Sequence, residues 1–127
     1  MQIMIVGCGK EGRSLIDALT REGNNVTVVD TDEQVVKDIT NIYDVNGVVG
    51  NGTSYAVLSE AGLEDTDMVI AVTESDEVNL LTCVIAKKKM NCYTIARVRN
   101  HIYSEEQSFL QSELQLSMII NPAQEAA

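Results

Sequence analysis

Three glycines at the spacing Gly7-x-Gly9-x-x-Gly12 are the residues of this sequence best suited to holding a phosphate. Gly7 permits a tight turn, Gly9 leaves bare backbone against which a pyrophosphate can rest, and Gly12 allows close helix–strand approach. The whole turn, Gly7-Cys8-Gly9-Lys10-Glu11-Gly12, is expected to offer unpaired amides and the positive end of a helix dipole to the ligand. The motif alone is weak; its context strengthens it. It follows an apolar strand, opens a helix, and is followed by Asp30 at the tip of the next strand. A carboxylate there accepts both ribose hydroxyls and repels a 2′-phosphate, favouring NAD(H) or a simple adenine nucleotide over NADP(H). A turn that merely needs glycine is the plainer alternative. Thr31 is grouped with Asp30 at the site, while Asp32 reads first as a helix cap.

Further candidates fall at the same edge. Lys10 either reaches a phosphate as a point charge or stays solvated. In Gly50-Asn51-Gly52-Thr53, Asn51 suits the adenine edge with Thr53 in support, and an ordinary turn remains open. Thr73 suits a ribose or the second half of a dinucleotide. The acids of Thr73-Glu74-Ser75-Asp76-Glu77 read as a solvated helix start before a cation site. Arg97 and Arg99 are two apart on a strand and so share a face, with Arg97 placed to clamp phosphate. His101 reads as a surface residue. Cys8, Cys83 and Cys92 form an odd set without a CxxC pair, read as reduced thiols rather than metal ligands. No Ser-His-Asp order, Cys–His pair or oriented base is present, so neither a catalytic nor a metal site is expected.

The elements that must position these residues alternate without a break. Strands are expected at 2–6, 26–29, 45–49, 68–72, 93–98 and 117–120. Helices are expected at 13–22, 32–43, from 53 or 54 to 61, 75–90 and 103–114. Short connections between alternating strands and helices predict an α/β fold: a Rossmann-like, doubly wound, parallel six-stranded sheet of order 3-2-1-4-5-6 with helices on both faces. Residues 1–120 then form one nucleotide-binding domain. Asn121-Pro122 reads as a helix cap followed by proline at the first helical position, so 121–127 are expected to begin a truncated crossover helix of a longer protein. The helix 75–90 is apolar nearly all round (Val78, Leu80, Leu81, Cys83, Val84, Ile85), which predicts a second buried face against a subunit partner, extended by Met118, Ile119 and Ile120.

Composition supports this and removes alternatives. Of 127 residues, 45% are hydrophobic and only 4% aromatic with no Trp, which suits an aliphatic sheet buried on both faces. The net charge of -10 repels phosphate backbones and anionic lipid, disfavouring nucleic acid and direct membrane binding. No apolar run approaches the roughly 20 residues of a membrane span. The first residues read as a strand entering a glycine turn, not as a secretory signal.

Taken together the segments resemble a known family, the RCK or KTN nucleotide-binding domain of bacterial Trk potassium-uptake regulators. The resemblance rests on Met4-Ile5-Val6-Gly7-Cys8-Gly9, Val26-Thr27-Val28-Val29-Asp30-Thr31-Asp32, Gly50-Asn51-Gly52-Thr53 and Ala61-Gly62-Leu63-Glu64-Asp65-Thr66-Asp67-Met68. It continues through Ala71-Val72-Thr73-Glu74-Ser75-Asp76-Glu77-Val78-Asn79, the most specific of these, then Ile95-Ala96-Arg97-Val98-Arg99 and Ile120-Asn121-Pro122. It implies a cytoplasmic, non-enzymatic regulator that binds NAD(H), ATP, ADP or AMP. It also implies a homo-oligomer, a dimer assembling into a ring, on the inner face of a membrane potassium transporter subunit of Trk or Ktr type. By position, Gly7, Gly9, Lys10, Gly12, Asp30, Asn51, Thr73 and Arg97 would line the site. Calcium-gated relatives carry acids where this chain has Arg97 and Arg99, so that calcium site is not expected. The rival reading is the cofactor half of an NAD-dependent dehydrogenase, and a third is a dimerisation domain with a vestigial site.

Overall fold

The computed structural model describes residues 1–121, so all but the first residue of the helix start expected at 121–127 lies outside the described residues. The chain begins with β1 (Gln2–Val6), whose alternate residues go to opposite faces of the sheet. Met4 and Val6 join one buried cluster; Ile3 and Ile5 join the other. The helix α1 (Lys10–Arg21) follows, then β2 (Asn25–Asp30), α2 (Glu33–Ile42) and β3 (Asn46–Val49). The second half comprises α3 (Tyr55–Glu60), a 3-10 turn at Leu63–Asp65, β4 (Met68–Ala71), α4 (Asp76–Met90) and β5 (Tyr93–Arg97). Two short helices, α5 (His101–Glu105) and α6 (Gln107–Glu113), lead to β6 (Met118–Ile120).

All strand pairs are parallel, in the order β3-β2-β1-β4-β5-β6, the doubly wound order expected. In the register, Val6 lies beside Val29 on one side and Ala71 on the other, so β1, β2 and β4 end level and open a crevice between their following loops. Helices cover both faces. Ile16 of α1 and Ile39 of α2 pack on one, while Leu58 of α3 and Leu80, Cys83 and Ala86 of α4 pack on the other. Among the described residues no helix is long and apolar enough to cross a membrane.

Three details differ from the sequence reading. First, α1 begins at Lys10, three residues before the expected start, because Gly12 is helical and pressed against the preceding turn. Second, the expected helix 103–114 is two helices with a break at Glu106. Each piece has its own anchor: Tyr103 Oη donates to Glu77, whereas Gln107 Nε2 and Gln111 Nε2 donate to the carbonyls of Ile119 and Ser117. Third, the apolar surplus of α4 is largely taken up within the chain. Val84, Ile85 and Met90 pack half-buried on the core, and of the helix's large apolar residues only Leu81 stays exposed. Ile119 is likewise buried, leaving Met118 exposed on the last strand.

Candidate nucleotide-binding cleft

At the carboxyl ends of β1, β2 and β4 lies a cleft of about 390 Å³. Its first wall is the glycine turn. Gly7 adopts φ +102, and a Cβ there would stand 2.7 Å from the amide nitrogen of Thr73. Only glycine lets the two loops meet so closely. A Cβ at Gly12 would stand 2.0 Å from the Gly7 carbonyl oxygen, which ties the start of α1 onto the turn. Gly9 is the opposite case: the nearest atom to a Cβ there is Glu74 Oε1, at 4.0 Å. Gly9 is also the N-cap of α1 and offers no side chain to its amides, whereas Asp32, Ser54, Ser75 and Asn100 cap α2, α3, α4 and α5. The first-turn amides of α1 are therefore left to an outside acceptor, the arrangement that receives an anion.

Asp30 stands across the turn. Its Oδ2 accepts from the Cys8 amide at 2.8 Å and its Oδ1 from the Asp32 amide at 2.9 Å. Each oxygen retains a lone pair for a hydroxyl donor. Thr31 lies exposed at the rim, and Asp32 accepts from the amides of Gln34 and Val35, the capping role expected of it. The Cys8 thiol points into the core and burial pushes it up to about 12, with the Asp30 charge adding to the effect, so only the backbone of this residue faces the cleft chemically.

The far wall carries Asn51, Gly52 and Thr73. Asn51 Oδ1 accepts from the Thr53 amide at 2.9 Å and the Thr53 hydroxyl at 2.8 Å, so the carboxamide is held through its oxygen by its own loop. Thr53 thus supports Asn51 and does not line the cleft itself. A Cβ at Gly52 would lie 2.4 Å from Val6, so this loop packs directly on the sheet. The Thr73 hydroxyl donates to Asn79 Oδ1 at 2.7 Å, and the Thr73 amide donates to the same oxygen at 2.8 Å.

Asn79 is the residue the sequence reading missed as a site element. It is fully buried, and its Nδ2 donates to the carbonyls of Thr73 and Arg97 at 3.1 and 2.9 Å. One side chain thereby fixes the β4–α4 loop to the end of β5. An asparagine set among the apolar Val78, Leu80 and Leu81 was the available signal.

The charged candidates are placed differently from expectation. Arg97 does not line the cleft. It is 2% exposed, pairs through Nη1 with Glu11, and donates through Nη2 to the Thr73 carbonyl at 2.5 Å; its Nε has no hydrogen-bond partner among the described residues. A buried guanidinium requires a counter-ion, and Glu11 supplies it instead of facing the cleft. Arg99 does not share that burial. It lies beyond β5, half-exposed, 3.1 Å from Glu74 and 3.7 Å from Glu11. Asp76 is not a solvated helix residue: it is buried and accepts from the amides of Arg99 and Asn100 at 2.9 and 2.7 Å. Lys10 is exposed beside the turn, outside the lining, and His101 pairs with Glu105 on the surface. Among the described residues no group of three His, Cys, Asp or Glu is arranged to hold a metal ion.

The sheet order and the crevice at its switch point define a Rossmann-like domain. The chain belongs to the TrkA-N domain family, whose pattern matches residues 3–122. It is 40% identical over 126 residues to the Trk system potassium uptake protein TrkA of Halomonas elongata, an alignment covering 98% of this chain and 28% of that protein. The chain thus spans under a third of that relative's length. Among solved structures it matches the TrkA-N domain of inner membrane protein ybaL from Escherichia coli with a TM-score of 0.86 at 21% identity, covering 98% of this chain and 90% of that one. It also matches the GsuK channel bound to NAD with a TM-score of 0.78 at 20% identity, covering 94% of this chain and 21% of that one. At such identities the structural matches speak to fold.

Proposed function

We propose that this domain senses an adenine nucleotide, NAD(H) first and ATP, ADP or AMP as alternatives, and thereby regulates a membrane potassium transporter. The ligand's diphosphate rests on Gly9 and the uncapped start of α1, Asp30 holds the ribose, and Asn51 meets the adenine. Thr31, Gly52 and Thr73 complete the walls. Gly7 and Gly12 shape the turn, Cys8 contributes backbone only, Lys10 adds nearby positive charge, and Glu11, Thr53 and Arg97 act through the groups they hold.

The observation that carries this reading is the pairing of an unfilled, uncapped helix start at Gly9 with the Asp30 carboxylate across the turn. The potassium-uptake name of the Halomonas relative and the NAD in the GsuK neighbour support it. The regulator works in the cytoplasm at the inner face of the membrane, as a dimer that builds a ring, on a transporter subunit of Trk or Ktr type. Residues 1–120 form the nucleotide domain. The domain performs no chemistry on the ligand.

Calorimetric titration of the chain with NADH, ATP and ADP tests this directly. Saturable heat with at least one of them is expected; no heat with any would overturn it. Turnover of NADH by the chain would replace the regulatory reading with a dehydrogenase.

A further inference from the structure

We propose that Glu11 and Glu74 make this cleft select by phosphate charge, admitting a dinucleotide or monophosphate and disfavouring a nucleoside triphosphate; this rests on the nucleotide reading above. The residues lining the cleft include Asp30, Asp32 and Glu74 and no Lys or Arg. The two arginines nearest its β4–α4 side are already matched to acids. Arg97 pairs with Glu11, and Arg99 lies between Glu74 at 3.1 Å and Glu11 at 3.7 Å. Two carboxylates therefore neutralise two guanidiniums at the end of the cleft where a phosphate chain would extend.

Glu74 also bears on the phosphate position itself. While Oε2 contacts Arg99, Oε1 lies 4.0 Å from where a side chain on Gly9 would begin, above the bare backbone assigned to the diphosphate. A third phosphate running toward the β4–α4 loop must face this carboxylate or displace it from Arg99. On that side it must likewise take a guanidinium from Glu11 or Glu74 to gain a cation. A dinucleotide avoids both costs. Its two phosphates sit on main-chain amides, and its nicotinamide ring brings positive or no charge toward Glu74. Discrimination of this kind comes from a repulsive element, not from extra contacts to the favoured ligand.

The test compares NADH with ATP by calorimetry on the full chain without divalent cations, for the wild type, Glu74→Gln and Glu11→Gln. The wild type is expected to bind NADH more tightly. Each substitution should move the ATP-to-NADH affinity ratio toward ATP by about tenfold. Glu74 is 85% exposed, so Glu74→Gln decides the matter if Glu11→Gln fails to fold. A wild type that binds ATP as tightly as NADH, or a ratio unchanged in the folded variants, overturns charge selection while leaving the nucleotide reading intact. A wild type that binds neither ligand overturns both.

Discussion

Arg97 at the end of β5 and Glu11 in the first turn of α1 form an ion pair in which the arginine is 2% exposed and the glutamate 42%. The pair joins the two halves of the sheet across the switch point, since α1 follows β1 while Arg97 also holds the Thr73 carbonyl after β4. Removing Glu11 leaves a guanidinium buried without its counter-ion. Glu11→Ala is expected to cost about 1–2 kcal/mol, moderated by the solvent that reaches the carboxylate. Urea unfolding of Glu11→Ala, Arg97→Met and the double variant measures the coupling. Additive losses would show that the two side chains do not interact.

Asp30 ties the Cys8 amide and, in the proposed binding mode, also grips a ribose. Asp30→Ala should weaken NADH binding by about 1–3 kcal/mol, the range for leaving hydrogen-bonding partners unmet. Titration of the folded variant reads this, and unchanged affinity would remove Asp30 from the site.

Gly9 and Gly12 make opposite demands. Gly9→Val should keep the fold, because only Glu74 comes near, and should abolish nucleotide binding by filling the phosphate space. Gly12→Ala places a methyl 2.0 Å from the Gly7 oxygen. Alanine in a helix normally gains about 1 kcal/mol over glycine. Here a net loss of about 2 kcal/mol or more is expected from the clash. Melting curves of the two variants, with NADH titration of the first, check both statements.

Asn79 satisfies backbone and side-chain groups of Thr73 and the Arg97 carbonyl from a fully buried position. Asn79→Ala orphans several of them at once. A loss of about 2–4 kcal/mol in denaturant unfolding is expected, since each unmet buried group costs about 1–3. A loss below 1 kcal/mol would mean that the β4–α4 loop reorganises without it.

Burial raises the Cys8 and Cys83 thiols from 9.0 to about 12. Between these values the unfolded chain loses thiol protons that the folded chain keeps, so the unfolded state binds fewer protons and stability falls with rising pH. The stabilisation is complete below pH 9 and is lost progressively toward pH 12. Cys8→Ala should flatten this alkaline slope in urea unfolding between about pH 9 and 10.5. At neutral pH, a disulfide reagent should modify the thiols only after unfolding. Rapid labelling of the native chain would contradict their burial.

Local signals were enough for much of this molecule. The short apolar runs bounded by glycine and acid marked the strands, and their alternation with helices yielded the sheet order through the right-handed crossover rule. The Gly7, Gly9 and Gly12 spacing, Asp30 at the tip of the next strand, and the cap at Asp32 were all readable because each depends on neighbours in the chain. The Asn51 loop could be placed at the correct edge for the same reason.

Contacts between distant segments decided the remainder. Arg97 was legible as an arginine near a strand end but not as a buried one, because its counter-ion Glu11 lies 86 positions earlier. The roles of Asn79 and Asp76 likewise exist only once α4 stands beside β5 and the loop that follows it. The early start of α1 comes from the Gly7 carbonyl beneath Gly12, and the break at Glu106 from two separate anchors on Glu77 and Ile119. Periodicity and turn chemistry act over a few residues and survive in the linear order. Pairing of charges and burial of polar groups depend on which surfaces meet, and that information arises only when the chain has closed on itself.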